Sequence, residues 1–133
     1  MKRILFSIFI LSGCLVLSAQ SERKVRATQI VKKETWNHTD NKSNYLDGID
    51  RFDKEGNLIE EIKYHSDGSI KEHFRYTFNE NNDILTETEY DDSGKVISKT
   101  ENVYDGLLKI SKKEYNEKGK LVSWKVYKYE YAK

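Results

Sequence analysis

A short motif recurs five times along the chain and constrains the fold more than any other feature of the sequence. Each copy places Gly or Asn four positions after an aromatic residue and an aliphatic residue two positions later. The copies are Phe52–Leu58, Tyr64–Ile70, Phe78–Ile84, Tyr90–Val96 and Tyr115–Leu121. This spacing is typical of a β-hairpin whose three-residue loop ends in the left-handed conformation, which Gly adopts freely and Asn tolerates.

The turn type also predicts which residues pair across each hairpin. The first and last residues of each copy should face one another, so an aromatic–aliphatic pair worth roughly 0.2–1 kcal/mol flanks every loop. One turn differs, because Asp105-Gly106 is a two-residue type I′ signal that predicts a pair between Tyr104 and Leu107. The predicted structural turn residues are Gly56, Gly68, Asn82, Gly94, Gly106 and Gly119.

The segments between these turns predict an all-β protein. The predicted strands are 57–65, 69–79, 83–91, 95–104, 107–116 and 120–131, preceded by less regular candidates at 25–36 and 44–53. No long segment repeats its apolar residues with a helical period, and the chain contains no proline. We therefore predict an antiparallel up-and-down meander of about six to eight strands, either a strongly curved sheet or a small open barrel.

Alternation along these strands predicts one face that is apolar throughout and a second face that changes character. The predicted apolar face carries Phe52, Leu58, Ile62, Tyr64, Ile70, Phe74, Tyr76, Phe78, Ile84, Tyr90, Val96, Tyr104, Leu107, Tyr115, Leu121 and Tyr127. The opposite face is polar in the early strands. In the later strands it carries Ile97, Val103, Leu108, Ile110, Val122, Trp124 and Val126. The late part of the sheet should therefore be covered on both sides, by curling of the meander or by the N-terminal strands.

Residues 1–19 have the anatomy of a cleaved export signal. A basic start precedes an apolar run from residue 4 to 17, which is short for a membrane span, and Ser18-Ala19-Gln20 offers a small-residue cleavage site. Residues 11–14 also resemble a lipoprotein box, in which Cys14 would carry the lipid. The apolar residues directly after Cys14 favour simple secretion. The sequence thus predicts a single exported domain over residues 20–133, periplasmic or secreted, or alternatively lipid-anchored in the outer membrane.

Composition narrows the classes of partner. Cys14 is the only cysteine, so the mature chain would hold no disulfide. Removal of Lys2 and Arg3 leaves 21 basic residues against 22 acidic ones, interspersed along the chain. This balance argues against a nucleic-acid partner and against a polybasic surface for anionic lipid. No transmembrane segment is predicted in the mature chain.

The repeat resembles the YD repeats of RHS-type proteins, in which a Tyr-Asp-x-x-Gly unit recurs along an array of β-hairpins. Tyr90-Asp91-Asp92-Ser93-Gly94 is the best match, and the similarity extends over residues 52–131. The chain is also similar to small secreted Bacteroidetes proteins of uncharacterised function. The resemblance implies a hairpin array and carries over no functional residue, since about six strands are too few for the shells that RHS-type proteins build.

The sequence predicts no catalytic residue, metal ligand or cofactor. In the predicted register His65 faces Ser69 and His73 faces Glu61, too far apart to share a metal ion, and His38 lies in a separate loop. The strand carboxylates read as cross-strand charge pairs rather than as a glycosidase pair. These are Glu60, Glu61, Glu87, Glu89, Glu101 and Glu114. The sequence contains no G-x-S-x-G nucleophile motif, no cysteine nucleophile in its mature part and no phosphate-binding glycine loop.

The last strand carries the predicted binding surface, formed by Trp124, Tyr127, Tyr129 and Tyr131. Exposed tyrosines would offer a platform for a partner protein or sugar rings, whereas buried ones would complete the core. Burial is favoured for Tyr127, and the other two tyrosines are left open. The leading hypothesis is a non-enzymatic protein-interaction module of the cell envelope. The alternative is a carbohydrate- or envelope-polymer-binding module, and a hydrolase is a third class. The sequence favours no particular oligomeric state.

Overall fold

The computed structural model describes residues 25–39 and 42–132. The predicted export signal and Cys14 lie outside the described residues. A short helical turn spans residues 25–28 and precedes eight strands. The strands are β1 (Lys32–Thr39), β2 (Lys42–Phe52), β3 (Leu58–Tyr64), β4 (Ile70–Phe78), β5 (Ile84–Tyr90), β6 (Val96–Asp105), β7 (Leu108–Asn116) and β8 (Leu121–Val126).

The strands form one antiparallel sheet in the order β1-β2-β3-β4-β5-β6-β7-β8. This confirms the predicted all-β meander, and the sheet is open rather than closed into a barrel. Two predicted boundaries were wrong. The candidate strand at 25–36 begins only at Lys32, after the helical turn, and the last strand ends at Val126 rather than at residue 131.

All five predicted turn pairs are present. Phe52 pairs with Leu58, and each of the other four copies pairs its aromatic with its aliphatic residue in the same way. In the second copy the N–H of His65 donates to the oxygen of Ser69 at 2.8 Å, and the N–H of Gly68 donates back to His65 at 3.0 Å. The third residue of each three-residue loop has a positive φ, 85° at Gly68 and 63° at Asn82.

Asn82 stands where the other copies have glycine, and its side chain explains the difference. Its Oδ1 accepts a hydrogen bond from Nδ2 of Asn57 at 2.9 Å, which connects the β4–β5 turn to the β2–β3 turn at the same end of the sheet. Asn57 is buried and also donates to Asp53 at 3.0 Å. Asn82 therefore adopts a positive φ at a small cost in backbone energy. In return its side chain accepts a hydrogen bond from the buried amide of Asn57, which a glycine at position 82 would leave with one partner fewer.

Each of these hairpins contains a β-bulge close to its turn, which strict alternation along the sequence does not predict. Beyond the pair Tyr64–Ile70 the next partners are Lys63 and Glu72, so Lys71 is an extra residue on its strand. The same shift of one residue recurs in the other hairpins. The extra residues are Ile59, Lys71, Leu85, Ile97, Ile110 and Val122. A shift of one residue exchanges the faces of all later side chains on that strand.

The bulges divide the predicted apolar face between the two sides of the sheet, so that prediction was wrong. Cross-strand partners share a face, and so do alternate residues of one strand. We define face A by Ile62, His73, Tyr90, Lys99, Tyr115 and Trp124. We define face B by Glu61, Phe74, Tyr76, Glu87, Thr100 and Glu114. Both faces therefore mix aromatic side chains with charges, and neither is purely apolar.

The turn between β6 and β7 also differs from the prediction. Asp105 pairs with Leu108 and Tyr104 pairs with Lys109, so the loop is Gly106-Leu107 and Tyr104 does not face Leu107. Within this turn only Gly106 has a positive φ, at 58°. This is the pattern of a type II′ turn, which needs a glycine only at its first central position, whereas type I′ would force Leu107 into the left-handed region as well.

The described part of the sheet forms a single layer with very little core. Among the described residues the buried apolar side chains are Val25 and Phe52. The prediction that the late strands are covered on both sides was wrong, because β1 and β2 extend the sheet at its edge and do not fold across it. The exposed residues of that predicted second face are Ile97, Val103, Val122, Trp124 and Val126.

Candidate functional site

Exposed apolar side chains concentrate at the C-terminal edge of the sheet. Six of the thirteen exposed large apolar side chains among the described residues lie between residues 121 and 131. They are Leu121, Val122, Trp124, Val126, Tyr129 and Tyr131. We call this segment, residues 121–131, the β8 edge. Such a concentration in one short segment is unlike the scattered exposed apolar residues of an ordinary surface.

Among the described residues, the backbone of β8 is paired on one side only. The N–H of Tyr127 donates to the oxygen of Ile110 on β7 at 3.0 Å. Backbone groups alternate in direction along a strand, so those of Lys125 also point to β7, whereas those of Trp124 and Val126 point outward. The β8 edge therefore presents unpaired donors and acceptors, the template that an added strand requires.

The same residues that direct their backbone groups outward carry apolar side chains on face A. Trp124 and Val126 are 61% and 60% exposed. The indole of Trp124 is held in place, because its Nε1 donates to Oγ of Ser111 at 2.9 Å and Nζ of Lys113 lies 5.1 Å from the ring centroid. The cation over the ring and the hydrogen bond at its edge pre-organise an exposed aromatic surface.

The three tyrosines of the predicted binding surface do not join Trp124. The side chain of Tyr127 is half-buried, and alternation assigns it to the face opposite Trp124, because Tyr127 directly follows β8 and is three positions beyond Trp124. The hydroxyl of Tyr129 donates a hydrogen bond to the backbone oxygen of Lys109 at 2.5 Å. Tyr131 is 80% exposed and lies beyond the end of β8. The structure thus places these aromatic residues around one edge rather than on one platform.

The hairpin that carries the β8 edge is strongly basic. Leu108–Val126 contains six lysines and two glutamates. Within the described part of the chain, Lys112 alone among these lysines has a carboxylate within 4 Å, that of Glu114 at 2.6 Å, and the hydrogen bond from Lys112 lowers the pKa of Glu114. Lys112 also pairs directly with Lys125, and like charges in such a position repel one another.

The strands in the middle of the sheet have the opposite charge. Leu58–Tyr90 contains eight aspartates and glutamates but only three lysines and arginines. The chain as a whole is close to neutral, because the acidic strands in the centre of the sheet and the basic C-terminal hairpin nearly cancel in net charge. The total charge and the interspersion of charged residues along the chain did not predict this division. A count of charge by hairpin would have found it.

Face A also has a shallow hollow of about 420 Å³ beside the turn between β7 and β8. Val96, Lys99, Glu101 and Tyr115 line it, together with loop residues 116, 117 and 119. Glu101 accepts hydrogen bonds from Lys99 at 2.7 Å and from the Tyr115 hydroxyl at 3.1 Å, and the first of these chiefly lowers its pKa. The hollow therefore offers fixed polar groups next to an aromatic ring.

The best-connected charged group lies elsewhere on face A. Glu60 stands between Arg51 and Arg75 on its two neighbouring strands, with distances of 2.9 and 2.8 Å, and His73 reaches its Oε1 at 2.9 Å. Burial raises the pKa of Glu60, but the hydrogen bonds from His73 and Arg75 outweigh burial and leave it below the ordinary value. The cluster is fully paired and stabilises the sheet.

The histidines and carboxylates considered for chemistry are dispersed. His73 is buried against Glu60 and pairs with Ile62 rather than with Glu61 as predicted, whereas His65 is exposed in its turn and His38 is exposed on β1. Across residues 25–39 and 42–132 no three His, Cys, Asp or Glu side chains are grouped so as to hold a metal ion.

Glu87 on face B gives a testable electrostatic contrast. Burial raises its pKa, and Glu89, Glu114 and Glu61 raise it further, against the opposing charge of Lys112. A carboxyl group whose pKa is higher in the folded state than in the unfolded state lowers the free energy of unfolding when it is ionised. This loss is complete above the folded-state pKa and absent below the unfolded-state pKa, about 4.3. We expect Glu87→Gln to raise the free energy of unfolding by roughly 0.5 kcal/mol at neutral pH. Urea titration should show that gain disappearing near pH 3; a gain that persists there would contradict this electrostatic origin.

No protein-family model, curated protein or solved structure matches this chain. Among the described residues, no helix has the length and apolar character needed to cross a membrane.

Proposed function

We propose that this chain is an exported, non-enzymatic interaction module whose β8 edge binds an extended segment of another protein. The observation that carries the proposal is the coincidence of two features at Trp124 and Val126. Their backbone groups point outward with no strand partner in the described part of the chain, and their apolar side chains are more than half exposed. A bound strand would satisfy the first feature and bury the second.

The export part of the proposal depends on the signal-like residues 1–19, with Cys14 as the site of a lipid anchor in the alternative form. In either form the partner would be a protein of the cell envelope. An immunity or inhibitor protein would be one case of such a module, because edge pairing is a general way to occupy a partner's exposed strand.

Site-specific photocrosslinking in the native cell envelope tests the proposal. A photoreactive residue replaces Val126 in one variant and Ser66, exposed in the turn between β3 and β4, in the control. We expect one envelope protein to be captured from position 126 and not from position 66. Equal capture from both positions, or capture from neither, would contradict binding at the β8 edge.

A carbohydrate-binding module is the second candidate, favoured by the hollow beside Tyr115 and by the exposed indole of Trp124 on the same face. Sugar rings stack on aromatic faces while polar groups such as Glu101 would bind their hydroxyls. The variant Trp36→Phe leaves Trp124 as the sole tryptophan reporter. Fluorescence that stays constant across a panel of envelope glycans would eliminate this candidate.

A further inference from the structure

We infer that the segment bound at the β8 edge is an extended peptide in which apolar and acidic side chains alternate. This inference rests on the proposed function and specifies the chemistry of the partner. It follows from the register of β8, from the face that each exposed side chain occupies, and from the charge of the last hairpin.

The register determines where the apolar residues of the partner must lie. Trp124 and Val126 direct their backbone groups outward, so the partner residues directly opposite them form the next step of the ladder. Directly opposite residues share a face, and these two side chains lie on face A. Apolar partner residues at alternate positions would therefore cover Trp124 and Val126 on that face.

The other face determines the charge. Between these two residues, Lys125 projects onto face B, directly opposite Lys112 of β7. Glu114 pairs with Lys112 at 2.6 Å, while no carboxylate of the described chain lies within 4 Å of Lys125. An acidic partner residue opposite Lys125 would give that lysine a cross-strand ion pair and offset the repulsion between the two lysines.

A peptide fits this edge better than an anionic membrane or polymer does. Lipid headgroups and charged glycans can neutralise Lys125 and contact Trp124, but they carry no regularly spaced amide donors and acceptors. Only a second backbone pairs the outward N–H and C=O groups of Trp124 and Val126 at the spacing of a β-ladder. Vesicles of phosphatidylglycerol therefore serve as a competing probe in the test.

The test uses the full chain purified from the envelope and three capped six-residue peptides, the length of β8. One peptide alternates Val and Glu, its twin alternates Val and Lys, and the third has three Val followed by three Glu. We expect the alternating acidic peptide to bind about tenfold more tightly than either of the others, equivalent to ~1.4 kcal/mol. The preference over the lysine twin should weaken as salt is added.

Three variants connect this preference to the β8 edge. Lys125→Glu should reverse the preference between the Glu and Lys peptides, while Lys71→Glu, a matched exposed lysine on β4, should leave it unchanged. Val126→Pro removes an outward N–H that the β7 ladder does not use, so it should abolish peptide binding and leave the unfolding transition in place.

Equal binding of the Glu and Lys peptides, retained binding by Val126→Pro, or tighter binding to phosphatidylglycerol vesicles than to the peptide would overturn the inference. A protein captured from position 126 together with equal peptide binding would reject the acidic partner and leave the interaction module standing. Capture from neither crosslinking position would reject the module itself, so the two failures are distinguishable.

Discussion

Replacing Glu60 with glutamine should lower the free energy of unfolding by about 2 kcal/mol at pH 7, within the range for hydrogen bonds to charged groups. The side chain of Glu60 is only 14% exposed and accepts from His73, Arg75 and Arg51 at 2.8–2.9 Å. A glutamine keeps the shape but loses the charge, and its amide nitrogen would face a donor where the carboxylate had an acceptor. Urea denaturation of the two proteins measures the difference.

The pH dependence identifies the charge of Glu60 as the cause. A carboxylate with a lowered folded pKa stabilises the fold above its unfolded pKa, and this contribution disappears as pH falls through the folded pKa. The difference between the two proteins should therefore be complete at neutral pH and shrink below about pH 4. A constant difference down to pH 2 would indicate that shape or packing, rather than charge, is responsible.

Glu72→Gln is the matched control for Glu60→Gln. Glu72 also forms a cross-strand ion pair between β3 and β4, with Lys63 at 2.6 Å, but both side chains are much more exposed than Glu60. Exposed pairs contribute roughly 0–1 kcal/mol, so this substitution should change the free energy of unfolding by less than about 0.5 kcal/mol. Equal losses in the two variants would show that the triple contact at Glu60 has no special weight.

The sequence was sufficient to predict the turns and the order of the strands, because both depend on local chemistry. A three-residue loop closed by a residue of positive φ determines its own flanking pair, as Tyr64–Ile70 and Phe78–Ile84 show. A chain with such loops at short intervals has little choice but to form consecutive antiparallel strands. The exposure of the later strands was not predicted, because alternation alone suggested that both of their faces were covered.

The faces of the sheet were mispredicted because a bulge depends on pairing that a simple alternation rule does not include. A signal was nevertheless present in the sequence. Doublets of aliphatic residues follow the turns at Leu58-Ile59, Ile84-Leu85, Val96-Ile97 and Leu121-Val122. A doublet violates strict alternation, and in each hairpin its second member is the extra residue. The shift of one residue also brings Glu60 opposite Arg75, a contact that the unshifted register excludes.

The β8 edge was predicted in part, through its aromatic residues, and its most specific features came only from the structure. The sequence places Trp124 and three tyrosines near the C-terminus, and simple alternation already assigns Trp124 and Tyr127 to opposite faces. The outward direction of backbone groups at Val126 depends on which residues of β7 are paired, so it required the ladder. The repulsion between Lys112 and Lys125 depends on the same register.

Gly56→Ala should lower the free energy of unfolding by about 2 kcal/mol more than Gly68→Ala, the range expected for overpacking. The two glycines occupy equivalent turn positions with φ of 83° and 85°, so the backbone cost of a side chain is the same at both. An added Cβ at Gly68 meets nothing within 4 Å. At Gly56 it would clash with Cγ of Arg26 and lie 3.0 Å from the backbone nitrogen of the same residue.

The contact between Arg26 and Gly56 closes the corner of the sheet where both buried apolar side chains of the described structure, Val25 and Phe52, lie. Residues 25–31 cross the turn between β2 and β3, where Asn57 and Phe52 are buried and the N–H of Phe52 donates to Val31 at 3.0 Å. A methyl group at Gly56 cannot be accommodated by moving a flexible tip, because a backbone atom of Arg26 also lies in its path. The helical turn at 25–28 would have to move away, exposing the buried apolar side chain of Val25.

A double-mutant cycle separates this displacement from the backbone strain. Arg26→Ala removes the Cγ that lies nearest to the added methyl group, so it should recover part of the loss in Gly56→Ala and nothing in Gly68→Ala. Full recovery is not expected, since the backbone nitrogen of Arg26 remains in place. Urea denaturation of the single and double variants gives the coupling directly. Equal losses for the two glycines, with no coupling to Arg26, would show that the segment before β1 does not hold this corner of the sheet.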